Sequence, residues 1–166
     1  QRGWFEVQDA ASQAVAPFTQ VAPGMRVIDA CAGAGGKALH LAAMMGNKGQ
    51  LIALDIHNYK LRELKRRAKR AGAYNIETRH IDNNKVIKKL HGSADRVLLD
   101  APCSGLGVLR RNPDAKWKLN PDFIDRVVVE QQQILTQYAH MVKPGGKLIY
   151  VTCSILPQEN EEQIAA

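Results

Sequence analysis

Short runs of apolar residues alternate along this chain with longer segments in which apolar positions recur every three or four residues. The short runs predict buried β-strands, and the longer segments predict helices with one apolar face. The predicted strands are residues 26–30, 50–55, 76–81, 95–100 and 147–152. The predicted helices are residues 37–45, 58–71, 83–90 and 121–142, preceded by a helix that Asp9 caps and that runs to Pro17 or slightly beyond.

This alternation is typical of an α/β fold, in which helices cover a parallel sheet. We expect the strand order 3-2-1-4-5 that is usual for nucleotide-binding sheets. At 166 residues the chain suits a single domain over residues 1–166, with residues 1–24 as its lead-in helical segment. Residues 101–120 lack clear periodicity, which is typical of a functional loop, and Pro144-Gly145-Gly146 is expected to stop the last long helix.

Composition narrows the class of protein further. With 45% hydrophobic and 23% charged residues, the chain is not expected to be disordered. No apolar run approaches the roughly 20 residues of a membrane span and Gln1 opens no signal peptide, so we expect a soluble, cytoplasmic protein. Three cysteines without a Cys-x-x-Cys pair favour neither a disulfide framework nor a metal site. The net charge of +7 indicates a polyanionic partner.

A glycine-rich turn, residues 29–37, follows the first predicted strand and opens a helix. Such turns let a ligand approach the backbone and the free N–H groups of the helix. A P-loop would need glycine at Cys31 and serine or threonine at Ala38, so that interpretation fails. A dinucleotide motif fits Gly33, Gly35 and Ala38. An S-adenosylmethionine site has the same geometry and adds an acid at the strand end, here Asp29.

Acidic residues also end the second and third predicted strands. Asp55 and Asp82 could each simply cap the following helix. However, the carboxyl ends of the strands line the ligand crevice of such a sheet, and this convergence favours a binding role for both.

Two cysteine motifs follow neighbouring strands of the predicted sheet, Asp100-Ala101-Pro102-Cys103-Ser104-Gly105 and Thr152-Cys153-Ser154. With Cys31, both cysteines are expected at one edge of one crevice. A single cysteine is more often a small buried hydrophobic residue than a reactive thiol. Two cysteines in polar turns at adjacent strand ends favour chemistry instead.

A thiolate beside a methyl donor has one well-known use. Attack by sulfur at C6 of cytosine makes C5 nucleophilic, so that C5 can accept a methyl group; a base then removes the C5 proton and the sulfur leaves. This covalent route requires a thiol with a lowered pKa or a neighbour that takes its proton.

The sequence resembles the RNA cytosine-5 methyltransferases of the Sun/RsmB type, whose bacterial member modifies small-subunit ribosomal RNA. The similarity covers almost the whole chain, and the paired Pro-Cys and Thr-Cys motifs are its most specific part. Further matching segments are residues 3–9, the glycine turn, residues 107–114 with Lys116 and Trp117, and Glu159 with Asn160. In the family the glycine turn usually has Ala, Pro and Thr where this chain has Gly33, Ala34 and Ala38.

The resemblance implies a Rossmann-like class I S-adenosylmethionine-dependent methyltransferase, with Cys153 as nucleophile and Cys103 assisting proton removal or product release. Asp55 would bind the ribose hydroxyls, Asp82 the adenine amino group, and Asp100 the methionine end or the target base. The implied contacts of S-adenosylmethionine are Cys31, Ala32, Gly33, Ala34, Gly35, Gly36, Lys37, Asp55, Asp82 and Asp100. Family members also carry an upstream RNA-binding domain and two further strands, so we expect this chain to be an incomplete catalytic core.

Two basic clusters could meet RNA. Residues 60–70 hold seven basic residues and one acid, and we expect an ordinary amphipathic helix with a solvated face there, away from the reactive crevice. The loop after Cys103 combines basic residues with an aromatic one, as suits phosphates and a splayed base. The candidate RNA contacts are Arg110, Arg111, Lys116, Trp117 and Lys118.

The sequence leaves three alternatives open. A DNA-type methyltransferase would use Cys103 as its nucleophile. A nicotinamide-dependent oxidoreductase could be built on Gly33 and Gly35 but has no use for two cysteine motifs. A non-catalytic RNA-binding module would transfer no methyl group at all.

Overall fold

A five-stranded parallel sheet organises this computed structural model, which describes residues 3–165 and leaves the side chain of Lys118 undescribed. The strand order is β3-β2-β1-β4-β5, as predicted, and all four neighbouring pairs run parallel. The strands are β1 (Arg26–Asp29), β2 (Gln50–Asp55), β3 (Ile76–His80), β4 (Ala94–Asp100) and β5 (Val142–Val151).

Seven α-helices surround or follow the strands in the described part of the chain. They are α1 (Ala10–Phe18), α2 (Gly36–Met44), α3 (Asn58–Ala71), α4 (Asn84–Lys88), α5 (Ala115–Lys118), α6 (Pro121–Ala139) and α7 (Glu161–Ala165). The predicted cap of α1 is confirmed, because the Asp9 carboxylate accepts hydrogen bonds from the N–H groups of Ala11 and Ser12.

Successive strand residues feed two hydrophobic cores, one on each face of the sheet. Val27 and Leu98 pack with apolar residues of α1, α2 and α3. Their neighbours Ile28 and Leu99 pack on the other face with residues of α4 and α6. Burial on both faces explains why the central strands are apolar runs rather than alternating patterns. The turns that follow these strands therefore extend from a sheet that is packed on both faces.

The end of α6 and the start of β5 differ from the prediction. The helix was expected to reach Val142 and stop at the Pro-Gly-Gly turn, but it ends at Ala139. Backbone N–H groups of Ser93 and Ala94 donate to the Met141 carbonyl, which draws the chain into the sheet. The Pro-Gly-Gly turn lies inside β5. There the register of β5 against β4 shifts, between the pair Ala94–Val142 and the pair Arg96–Lys147.

The remaining differences are small. Helix α4 is shorter than predicted because Asn83 caps it from outside, accepting a hydrogen bond from the Lys85 N–H. The long loop after β4 contains a 3-10 turn at Leu106–Val108 and the short helix α5. Another 3-10 turn, Pro157–Glu159, precedes α7. Among residues 3–165, no helix combines the length and apolarity needed to cross a membrane.

Candidate active site

The two glycines of the Gly-x-Gly turn have different roles. Gly35 has a φ of +88°, and a Cβ there would lie 2.5 Å from the Cγ of Leu64, so glycine lets the turn pack against α3. Gly33 also has positive φ, but a Cβ on it would meet nothing within 4 Å. The backbone of Gly33 therefore borders open space, as a ligand-binding turn requires.

Asp55 holds this turn in place from the end of β2. One oxygen of its carboxylate accepts from the Gly33 N–H at 2.8 Å, and the other accepts from the His57 N–H at 2.7 Å. The carboxylate thus joins the glycine turn to the start of α3. Each oxygen keeps a second lone pair, so a ligand hydroxyl can still donate to it.

A basic residue of α3 also holds the glycine turn. Arg67 donates to the Ala34 carbonyl at 2.7 Å and pairs with Glu6 at 3.1 Å, while Arg70 pairs with the same glutamate. The expectation that the basic face of this helix is only solvated and lies away from the crevice is wrong for Arg67. Sequence reasoning missed Arg67 and Glu6, because a salt bridge across 61 residues has no local pattern.

A cavity of about 640 Å³ opens between the glycine turn and α6. Of the residues predicted to contact a cofactor, Cys31, Gly33, Asp55 and Asp100 line it. Asp82 does not: it is exposed and accepts a hydrogen bond from the Asn83 side chain, and its neighbour Ile81 lines the cavity instead. Burial raises the pKa of Cys31, so this thiol is protonated and serves as an apolar wall.

An ion pair separates this cavity from a second cleft. The Lys37 ammonium lies 2.6 Å from the Asp100 carboxylate, and Asp100 lines both spaces. Beneath them Asp29 is fully buried, and burial, with the nearby Asp100 charge, raises the pKa of Asp29 to about 7. Neither of its carboxyl oxygens has a hydrogen-bond partner among the described residues.

The two predicted cysteines meet at the second cleft, which measures about 380 Å³ and is lined by Cys153. The sulfurs of Cys103 and Cys153 are 3.2 Å apart, although 50 residues separate them along the chain. The Cys153 N–H donates to the Cys103 sulfur at 3.3 Å, which leaves the Cys103 S–H free to donate to the Cys153 sulfur. Cys153 is exposed and Cys103 is half-buried.

This contact shifts the pKa values of the two thiols in opposite directions. The hydrogen bond from Cys103 and, to a smaller extent, the Lys37 ammonium lower the pKa of Cys153 to about 7, against burial and the Asp100 charge. The same contact and burial raise the pKa of Cys103. Since the thiolate is the nucleophilic form of cysteine, Cys153 is the activated member of the pair.

A buried carboxylate, that of Glu159, lies behind the cysteines. Glu159 has no exposed surface and accepts hydrogen bonds from Ser104 and Ser154, the residues that follow the two cysteines. Burial alone would raise the pKa of Glu159, but hydrogen bonds from both serines and from Gln131 keep it lowered. The sequence marked Glu159 only as part of a segment that matches the family, and it assigned this residue no role.

The predicted RNA-contacting residues divide into two groups. Arg110 and Arg111 line the cleft of Cys153, where Arg111 also pairs with Asp9 at 3.2 Å. Trp117 is 79% exposed on α5, so it does not pack onto the following helix, and the Lys116 ammonium lies 4.7 Å from its ring centre. Neither residue lines the cleft, and the Lys118 side chain lies outside the described residues.

The larger cavity fits the adenosine-type cofactor implied by the sequence. Its volume lies within the range of small-molecule sites. Gly33 leaves space over the turn, and Asp55, which lines the cavity, has acceptor capacity for hydroxyl groups. The Lys37–Asp100 pair separates this cavity from the thiols, so a group bound in one space would face the other.

Together, the 3-2-1-4-5 sheet, the glycine turn and the thiol pair define a Rossmann-like methyltransferase with a cysteine site. The family model "16S rRNA methyltransferase RsmB/F" matches residues 18–166, and the chain belongs to that family. The resemblance to the Sun/RsmB type is thereby confirmed, as are the methyltransferase class and the Rossmann-like fold. This membership removes the support for a nicotinamide-dependent oxidoreductase.

Individual relatives agree with this assignment. The chain is 42% identical to the probable ribosomal RNA small subunit methyltransferase B of Synechocystis, over 98% of this chain and 36% of that protein. It is 41% identical to the corresponding Bacillus subtilis protein, over 100% of this chain and 37% of that one. NSun6 from Pyrococcus horikoshii, solved with the S-adenosylmethionine analogue SFG, is 30% identical with a TM-score of 0.89, over 99% of this chain and 42% of that one.

The chain thus spans less than two fifths of the length of these two curated relatives. The family is one of S-adenosylmethionine-dependent methyltransferases, which agrees with the predicted cofactor.

The role of Arg67 in shaping the cofactor cavity can be tested by substitution. We expect Arg67→Ala to weaken binding of S-adenosylhomocysteine about fivefold, because a charged hydrogen bond to the turn contributes about 1 kcal/mol or more. Titration calorimetry measures the affinity. Arg66→Ala is the matched control, since Arg66 is exposed and pairs only with Glu63 in the same helix among the described contacts. Equal affinities for the two variants would contradict the role of Arg67.

The state of the thiol pair can be tested by alkylation with iodoacetamide across a pH range. We expect the rate at Cys153 to rise with a midpoint near pH 7, because the thiolate is the form that reacts. In Cys103→Ala the midpoint should move up toward the free value of about 8.5, since the donor is lost. Peptide mass spectrometry assigns the alkylated residue.

Cys31→Ala, which alters a cysteine outside the pair, is the control and should leave the midpoint unchanged. A midpoint in Cys103→Ala equal to that of the unmodified protein would show that the contact does not activate Cys153.

Proposed function

We propose that this chain is the catalytic domain of an RNA cytosine-5 methyltransferase that modifies ribosomal RNA and uses Cys153 as its nucleophile. The observation that carries the proposal is the 3.2 Å contact between an exposed thiol of lowered pKa and a second thiol, in a chain of the RsmB/F family. The ribosomal substrate is suggested by the names of the relatives. Action on ribosomal RNA would place the protein in the cytoplasm.

Cys153 would begin the reaction by forming a bond from its sulfur to C6 of the cytosine. The electron pair of the C5–C6 double bond moves toward C5 and the base, which makes C5 nucleophilic. Asp100 lines both spaces and suits a contact with the target base or with the cofactor. Lys37, paired with Asp100, adds a positive charge near the thiolate.

S-adenosylmethionine, when bound, supplies an electrophilic methyl group for C5. On the protein side, the glycine turn and Asp55 would hold the cofactor, with hydroxyl groups donating to Asp55. Asp82 is exposed and outside the cavity lining, so its assignment to the adenine amino group would need the carboxylate to turn toward Ile81.

Cys103 would act at the end of the reaction. Once a base has taken the C5 proton, the C5–H electron pair re-forms the C5–C6 double bond, the bond between C6 and the Cys153 sulfur breaks, and the electron pair of that bond returns to sulfur. The Cys103 S–H lies where it can donate to that departing thiolate, so the contact favours product release. This arrangement argues against the DNA-type alternative, in which Cys103 would be the nucleophile, because the pKa of Cys103 is raised and that of Cys153 is lowered.

The nucleophile can be identified with RNA that carries 5-fluorocytosine at the target position. Fluorine cannot leave C5 as a cation, so the covalent adduct persists and is visible on a denaturing gel. With the full-length protein we expect no adduct from Cys153→Ser, and an adduct from Cys103→Ser.

An unchanged adduct yield in Cys153→Ser would overturn the assignment. Loss of the adduct in Cys103→Ser alone would support the DNA-type alternative. Absence of methyl transfer by the unmodified full-length protein would support a non-catalytic RNA-binding module.

The two arginines of the cleft are the proposed RNA contacts nearest the site of chemistry. The double change of Arg110 and Arg111 to alanine should weaken RNA binding and reduce the slope of log affinity against log salt by up to about two, because two phosphate contacts are lost. Fluorescence anisotropy at several salt concentrations measures both. The same double change at Arg62 and Arg66, exposed on α3, is the matched control. An equal loss of slope in both variants would assign the effect to general charge.

A further inference from the structure

The sheet alone does not bring the two sulfurs together. Pairing between β4 and β5 ends at Asp100 and Val151, and the last backbone bond of that ladder runs from the Ala101 N–H to Val151. Cys103 and Cys153 lie beyond it, each in a turn. Their contact therefore depends on whatever holds the two turns against each other.

The carboxylate of Glu159 joins these turns directly. One oxygen accepts from the hydroxyls of Ser104 and Ser154, each at 2.5 Å, and these hydroxyls are 3.1 Å apart. The other oxygen accepts from the Ser104 N–H at 2.7 Å and from the Gln131 amide at 3.0 Å. Gln131 also donates to the Pro102 carbonyl at 2.8 Å. All four bonds reach residues in or beside the cysteine turns.

The neighbouring Asn160 supports only one of the turns. Its side chain accepts from the Thr152 hydroxyl at 2.6 Å and donates to the Ser154 carbonyl at 3.2 Å. These bonds fix the shape of the Thr-Cys-Ser turn but do not reach the Pro-Cys-Ser turn. The turns also contact each other directly, through the Ser104 and Ser154 hydroxyls and the bond from the Cys153 N–H to the Cys103 sulfur. Glu159 lies outside both turns, and its carboxylate accepts hydrogen bonds from each of them.

We propose that Glu159 is a positioning residue, which sets the distance between the Cys103 and Cys153 sulfurs through Ser104 and Ser154. The inference rests on the proposed function only for its effect on catalysis. A buried carboxylate is stable only when it is fully paired, so its four donors must stay where they are. Glutamine has the same shape, but its NH₂ group cannot accept hydrogen bonds. In Glu159→Gln this group would face hydrogen-bond donors, so at least part of the hydrogen bonding that connects the two cysteine turns would be lost.

The test follows alkylation of Cys153 by iodoacetamide in the full-length protein, in which the thiolate attacks the CH₂ carbon and iodide leaves. In Glu159→Gln the Cys103 donor should move away, so the midpoint of the alkylation profile should rise by about one pH unit. The other charged groups lining the cleft, Asp9, Lys37, Asp100, Arg110 and Arg111, are unchanged. Removing a negative charge without moving the thiols would instead lower the midpoint, so the direction of the shift separates the two effects.

Glu77→Gln is the matched control, because Glu77 is a paired carboxylate on the distant edge strand β3. It should leave the midpoint unchanged. Steady-state kinetics of methyl transfer should show kcat at least tenfold lower in Glu159→Gln, with KM for RNA within about twofold. The alkylation result needs neither RNA nor cofactor, so it stands even if the proposed reaction fails.

Thermal unfolding shows whether Glu159→Gln is folded and how far its melting temperature changes, so that a loss of stability is not mistaken for a loss of positioning. An unchanged or lowered alkylation midpoint in a folded Glu159→Gln protein would overturn the proposal, whatever its melting temperature. Should that variant not fold, Ser154→Ala removes one of the four bonds and should raise the midpoint by a smaller amount. An unchanged midpoint in a folded Ser154→Ala protein would then overturn the proposal.

Discussion

Parallel pairing of β1, β4 and β5 is the constraint on which the site depends. Because the strands run in one direction, their carboxyl ends meet at one edge, where Asp29 is level with Leu98 and, two residues further along β4, Asp100 is level with Val151. Apolar residues on both faces of these strands are buried, so this edge cannot shift relative to the helices. Each functional turn is an extension of a strand that is fixed on two sides.

The charged groups at this edge differ between the cavity beside the glycine turn and the cleft of Cys153. The cavity beside the glycine turn is lined by a fixed acceptor, Asp55. The cleft of Cys153 is lined by the Lys37 ammonium, and the Cys103 thiol contacts Cys153 beside it. Asp100 lines both spaces and pairs with Lys37, so one ion pair borders the cavity and the cleft. Such an arrangement suits a group transfer between two ligands.

Much of this could be predicted from the sequence because the signals are local. Apolar runs gave the strand positions to within a few residues, and cap residues such as Asp9 marked a helix start. The two cysteine motifs are contiguous segments, so their place at neighbouring strand ends followed from the strand order alone. The start of β5 was predicted wrongly because the register shift that admits Pro144 depends on Ser93 and Ala94, far away in sequence.

The sequence by itself determined the α/β fold, the family and the positions of the candidate site residues, since each depends on a short-range pattern. Only the tertiary structure decided how those residues are connected. It placed Arg67 on the glycine turn, removed Asp82 from the cavity lining and put Glu159 behind both cysteines. The physical reason is that hydrogen bonds and salt bridges between distant segments depend on the packing of the whole sheet, and no local spacing records them.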